Sequence, residues 1–171
     1  MMLAVVAEYD RFNLSVCVYC GQVLAAIKMP GGQLPWDTDV DAPHYAADFY
    51  QALGNVVPRL KEHYGLGSKV VASRHVKNEN GELEGGAITI NHPPTHFTVD
   101  NYAKAPSKLH CGRQQEKGRA KTLIRLGGSW VPGPDNPGKY GRTYGDEILQ
   151  HVLHVVSKKQ AYGNIDAKFK K

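Results

Sequence analysis

Two stretches of the chain carry apolar residues at helical spacing, and several shorter ones carry them in runs or in alternation. Tyr45, Phe49, Leu53, Val56 and Leu60 recur every three or four positions and so line one face of a helix. This spacing predicts a helix over about 41–64, with Asp41 as its N-cap and Pro43 in the first turn, where a missing N–H costs nothing. Pro58 should kink or interrupt it, and Gly65 should end it in the left-handed conformation. Ile148, Leu149, Val152, Leu153 and Val156 predict a second helix over 146–159; Asp146 and Glu147 at its start and Lys158 and Lys159 at its end suit the helix dipole. Leu3–Ala7 and Leu14–Ile27 are rich in Val, Leu and Tyr and read as strands, with Gly21-Gln22 turning a hairpin between Ser15–Tyr19 and Val23–Ile27. Lys69–Val76 and Ala87–Asn91 read as two strands joined by a turn at Asn78–Gly81, whose Asn-Gly pair is a strong hairpin signal. Thr95–Val99 and Thr122–Leu126 are shorter strands, and residues 127–144 form a Gly/Pro-rich loop. The sum is a single α+β domain over residues 1–171, a mixed or antiparallel sheet with two main helices.

Composition leaves that picture standing. A chain of 171 residues with 42% hydrophobic and 22% charged residues can bury a core and is not a disordered polymer. No apolar run reaches the roughly 18 residues of a membrane span, so no membrane partner is expected. Met1–Ala7 has no basic residue before it and soon meets Glu8, Asp10 and Arg11, which predicts a buried first strand rather than a signal peptide. Three cysteines are too few for a disulfide framework in a domain of this size, which points to a reducing, intracellular setting.

Charge changes the picture more. Lys104, Lys108, Arg113, Lys117, Arg119, Lys121 and Arg125 oppose only Glu116 between positions 104 and 125, so this stripe carries more than the whole net charge of +5. A short basic tail over 166–171 adds Lys168, Lys170 and Lys171. Cations on a loop-rich segment suit phosphate contacts, and Tyr102, Trp130, Tyr140 and Tyr144 flank the stripe where they could stack on bases. A solvated charged face explains the same residues. The nucleic-acid-binding candidates are Lys108, Arg113, Lys117, Arg119, Lys121 and Arg125.

Asp37, Asp39 and Asp41 alternate just before the predicted helix and match positions 1, 3 and 5 of a calcium loop, with Asp48 at position 12. Ala42 stands where the turn glycine belongs, and helix capping explains the same carboxylates without a cation. Val23-Leu-Ala-Ala-Ile-Lys-Met-Pro-Gly-Gly32, followed by a helix ending Leu60-Lys-Glu-His-Tyr-Gly-Leu66, resembles the frame of a Nudix hydrolase. That resemblance implies magnesium on a diphosphate, with Glu62 as the one residue on an acidic position of the family's box. Leu34-Pro35-Trp36 followed by Asp41 resembles the substrate loop of dihydrofolate reductase, and Ile124-Arg-Leu-Gly-Gly128 stands for that family's nucleotide-binding signature.

Cys17 and Cys20 have the spacing of half a zinc site, which Cys111 and His110 could complete. Either cysteine with His96 and Asp100 could instead form a thiol-hydrolase triad, Thr95–Val99 presenting the histidine. Buried cysteines acting as small hydrophobes account for both observations. His92, His96 and Asp100 share no helix face because Pro93 and Pro94 intervene, and His151 and His154 fall on the polar side of their helix.

The first functional expectation is a non-enzymatic, structural component of a larger assembly. It would contact other protein subunits, in a homo- or hetero-oligomer, and nucleic acid or an acidic surface through the basic stripe. Its place would be the cytoplasm, a virion or a ribonucleoprotein particle. The second is a metal-dependent phosphoanhydride hydrolase with magnesium or calcium, ahead of zinc, at Asp37, Asp39 and Asp41, and with Asp41 and Glu62 as catalytic candidates. The third is a cysteine hydrolase built on Cys17 and His96.

Overall fold

The computed structural model describes residues 1–29, 31–32, 37–77, 80, 83–104, 109, 111 and 122–138. Within them the chain is a mixed α+β domain, as expected. Helix α1 (Met2–Arg11) and helix α2 (Gly21–Lys28) come first, then the short strands β1 (Asp39–Asp41) and β2 (His44–Tyr45). A 3-10 turn (Ala46–Asp48) opens a continuous helical run of α3 (Phe49–Gln51), a π-helical turn (Ala52–Val56) and α4 (Val57–Tyr64). Strands β3 (Gly67–Lys77), β4 (Leu83–His92) and β5 (Phe97–Lys104) follow, and β6 (Leu123–Leu126) and β7 (Ser129–Pro132) make a separate hairpin.

The main sheet runs β1-β5-β4-β3, with β2 also paired to β5. β3, β4 and β5 form an antiparallel meander, whereas β1 and β2 add to the edge of β5 in parallel. Alternation along the strands separates the two faces. Val40, Ile88, Ile90 and Val99 are buried and pack with Val5 and Tyr9 of α1 and with Phe49, Ala52, Val56 and Leu60 of the helical run. The β6–β7 hairpin contributes Ile124, Leu126 and Val131 to the same core. Arg125 backbone packs so closely on Gly32 that any side chain there would strike its carbonyl.

The predicted helix over 41–64 occupies Ala46–Tyr64, and Asp41 lies in β1 instead of capping it. Pro58 sits in the first turn of α4, directly after the π-helical turn, which absorbs the hydrogen bond proline cannot make. Gly65 stops the run at φ 64°, and the amides of Gly65 and Leu66 donate back to Lys61 and Leu60 carbonyls at 3.1 and 3.2 Å.

Two strand expectations are corrected. Leu3–Ala7 belongs to α1, where Met2, Val5 and Tyr9 are buried at helical spacing with Leu3 and Ala7 exposed. Val23–Ile27 belongs to α2, so no hairpin turns at Gly21-Gln22. Ser15–Tyr19 is instead threaded between other segments: Val18 N–H donates to Pro132 O at 2.8 Å and Tyr19 N–H to Asp41 O at 2.8 Å. The predicted loop over 127–144 is also corrected where it is described, because Gly127-Gly128 is a tight turn and Ser129–Pro132 is a strand. The predicted helix over 146–159 and the basic tail lie outside the described residues.

Candidate functional site

Strand β1 is three residues long, and its pleat sends Val40 into the core and Asp39 and Asp41 to the opposite face. Parallel pairing sets Asp41 beside Asp100 and Asp39 beside Thr98. Three carboxylates therefore share one half-buried face of the sheet. Across β4, Thr89 pairs with Asp100, and its Oγ1 donates to Asp100 Oδ1 at 2.9 Å. Tyr102 and Lys104 continue the same face along β5. Lys104 Nζ stands 4.1 Å from the ring centre of Tyr19 and 5.6 Å from that of Tyr102, within cation–π range.

The outer edge of β1 meets the start of α2. Gln22, buried in the first turn of α2, donates from Nε2 to Asp37 Oδ2 at 2.9 Å and to Asp39 O at 2.7 Å. Its Oε1 accepts from Asp41 N–H at 3.2 Å. Cys20, which precedes the helix, holds φ 52° and ψ −129°, a region that side chains other than glycine seldom enter. That conformation brings Cys20 Sγ to 3.5 Å from Tyr102 OH. Burial pushes the Tyr102 phenol well above its usual range, with the Cys20 contact adding to the shift.

Behind the acidic face, Asn101 points into the core. Its Nδ2 donates to Ala42 O at 2.6 Å, and Tyr9 OH donates to its Oδ1, which ties α1 to the end of β1. Burial raises the Tyr9 phenol, against the pull of that bond. His44 is fully buried between Tyr9 and Phe49, and neither ring nitrogen has a hydrogen-bond partner among the described residues. Burial lowers its pKa from 6.5 to about 4; nearby Asn101, outside hydrogen-bonding geometry, opposes the shift.

The sequence-predicted residues divide sharply. Asp39 and Asp41 lie in strand β1, and Asp37, just before it, accepts from Gln22; none of the three caps the helical run. Among the described residues no group of three or more His, Cys, Asp or Glu side chains closes up as a metal cage. Glu62 is exposed on α4, beside His63, so the Nudix-like frame is not built: its strand is helical and its helix begins at Ala46. The reductase-like frame fails likewise, since Asp41 is in a strand and Gly127-Gly128 turns into β7.

Cys17 is buried and disulfide-bonded to Cys111, with Cα atoms 5.9 Å apart. This overturns the expectation of unpaired buried cysteines, removes Cys17 as a nucleophile and dissolves the zinc half-site with Cys20. His96 sits exposed in the β4–β5 turn at φ 56°, not in a strand. Arg125 is exposed on β6 opposite Trp130, whereas Lys108, Arg113, Lys117, Arg119 and Lys121 lie outside the described residues. Sequence reasoning missed Gln22 and Thr89 altogether and placed Lys104 only in the basic stripe. The strand pattern Asp-Val-Asp was the available signal, an apolar residue between two acids having a period of two.

No protein-family model and no curated protein matches the chain. Solved structures do. One is terminal uridylyl transferase 4 from Trypanosoma brucei with bound GTP, at 10% identity and TM-score 0.39, covering 59% of this chain and 27% of that one. The chain thus spans about a quarter of that enzyme. A second is the lincosamide antibiotic adenylyltransferase LnuA with lincomycin bound, at 11% identity and TM-score 0.45, covering 99% and 96%. A third is the antibiotic-resistance factor ANT(2'')-Ia, at 14% identity and TM-score 0.43, covering 78% and 62%. The expectation of a non-enzymatic structural or assembly protein is corrected here. The chain's own described residues gather three carboxylates on one sheet face.

Proposed function

We propose that the protein is an enzyme of nucleotidyl transfer, working on the acidic face with Asp39, Asp41 and Asp100 directed at a divalent cation. The observation that carries the reading is the register that sets Asp41 beside Asp100, with Asp39 on the same face. Like charges placed side by side on a sheet are unfavourable, and a cation offsets that repulsion. Magnesium is commonly held by one or two carboxylates together with substrate phosphates, so a donor set of this kind fits without a closed protein cage. When bound, the cation supplies charge neutralisation and alignment at the phosphate.

The chain's own residues have separable parts in this scheme. Asp39 and Asp41 hold the cation. Asp100, oriented by Thr89, completes the acidic set. Lys104 supplies positive charge further along β5, on the face that carries the carboxylates. Lys108, Arg113, Lys117, Arg119, Lys121 and Arg125 are proposed to attract the anionic substrate, nucleic acid included. An intracellular setting, where nucleotides are abundant, suits this activity.

The test is a Mn2+ titration of the wild type, alone and with a nucleoside triphosphate, next to Asp39→Asn and Asp41→Asn. Either substitution is expected to cut metal-dependent nucleotide turnover by roughly a hundredfold, since a bound metal contributes several kcal/mol to such chemistry. Circular dichroism should be unchanged. A wild type that binds neither Mn2+ nor triphosphate would sink the reading.

A further inference from the structure

We infer that Gln22 is a positioning residue for the acidic pair, its side-chain amide serving as the missing neighbour strand of β1. The inference rests on the functional reading above and goes beyond it, because Gln22 bonds the strand that carries the acidic pair and is not one of the carboxylates.

In a parallel pair, alternate residues of a strand turn both their N–H and C=O toward the partner. Toward β5, Thr38 O accepts from Thr98 N–H at 3.0 Å and Ala42 N–H donates to Asp100 O at 2.9 Å. The groups of Asp39 and Asp41 therefore face the other way. Among the described residues they meet no strand there. Asp39 O accepts from Gln22 Nε2 at 2.7 Å and Asp41 N–H donates to Gln22 Oε1 at 3.2 Å, while Asp41 O accepts from Tyr19 N–H at 2.8 Å. One amide thus satisfies a donor and an acceptor two residues apart, as a neighbouring strand would.

The same Nε2 also reaches Asp37 Oδ2 at 2.9 Å. Gln22 has 4% relative exposure, so water is a poor substitute for these bonds. A three-residue strand has little pairing of its own to fix its pleat. Loss of the clamp would let the strand rotate and splay Asp39 and Asp41 apart. Side chains that orient metal ligands in this way typically matter by 10- to 100-fold in affinity.

The experiment compares wild type, Gln22→Ala and Gln22→Met by Mn2+ calorimetry and by amide hydrogen exchange. Gln22→Met keeps the length of the buried side chain and is the variant to read if Gln22→Ala does not fold. Val56→Ala, a core truncation remote in role, controls for general destabilisation. Mn2+ affinity is expected to fall about tenfold in the Gln22 variants and to hold in Val56→Ala at matched thermal stability. Exchange at Asp41 N–H should accelerate in the Gln22 variants alone. Wild-type binding with unchanged affinity in folded Gln22→Met would overturn the inference. Absence of Mn2+ binding by the wild type would instead overturn the functional reading, and unaltered exchange at Asp41 would then overturn the clamp as well.

Discussion

His44 shows what a single buried polar side chain costs this fold. Its ring is sealed between aromatic neighbours, stacked 6.1 Å from Phe49, and burial holds its pKa near 4 against 6.5 for a free histidine. The folded protein therefore keeps His44 neutral across a range in which the unfolded chain takes up a proton. Stability should be highest above pH 6.5 and should fall as pH drops from there toward 4, by about 3 kcal/mol in all. Urea titrations at stepped pH would measure the slope. His44→Phe, which removes two nitrogens without hydrogen-bond partners among the described residues, should flatten that part of the profile. Cys20 is the second residue under constraint, held at φ 52° to lead into α2 beside the acidic face. Cys20→Gly should relieve about 1–3 kcal/mol of backbone strain, less what the lost thiol contact returns, and a modest rise in Tm would register it.

At the scale of elements, the two N-terminal helices were hidden by their own composition. Short apolar runs such as Leu3–Ala7 and Val23–Ile27 fit a buried strand and a buried helix equally well. What decides α1 is a contact far away in sequence. Glu8 is buried and accepts from Arg59 Nε at 2.6 Å and from Tyr64 OH at 3.4 Å, with Arg11 at 3.2 Å. The Arg59 bond holds the Glu8 carboxyl below its usual range, against the opposing effect of burial. A depressed acid contributes stability above its unfolded pKa of 4.5 and loses it as pH falls through the folded value. Arg59→Ala should therefore lower Tm at neutral pH and differ less from wild type at pH 3. Differential scanning calorimetry at the two pH values checks the sign. The helical run, by contrast, was legible from its stripe and its Gly65 stop, and only its first turn was misplaced, because Asp41 was needed by the sheet.

For the molecule as a whole, the Cys17–Cys111 disulfide joins segments separated by 94 residues. It fixes the strand-like segment before α2 to the chain beyond β5, where Tyr45 OH also donates to Cys111 O at 2.7 Å. A loop of that length corresponds to about 4–5 kcal/mol in the chain-entropy account. Reduction with dithiothreitol should lower Tm by several degrees, and a Cys17→Ser/Cys111→Ser double variant should lose that response. No helix among the described residues is long and apolar enough to cross a membrane.

By itself the sequence determined the α+β class, the β3–β4 hairpin, the helix ending at Gly65 and the presence of carboxylates worth watching at Asp37, Asp39 and Asp41. These are local matters, written in periodicity, turn chemistry and spacing. Tertiary structure alone decided that Asp39-Val-Asp41 is a strand, that Asp100 from 59 positions after Asp41 stands beside it, and that Gln22 closes its edge. The physical reason is that a three-residue strand has no stability of its own and exists only because β5 on one side and a buried amide on the other complete its hydrogen bonds.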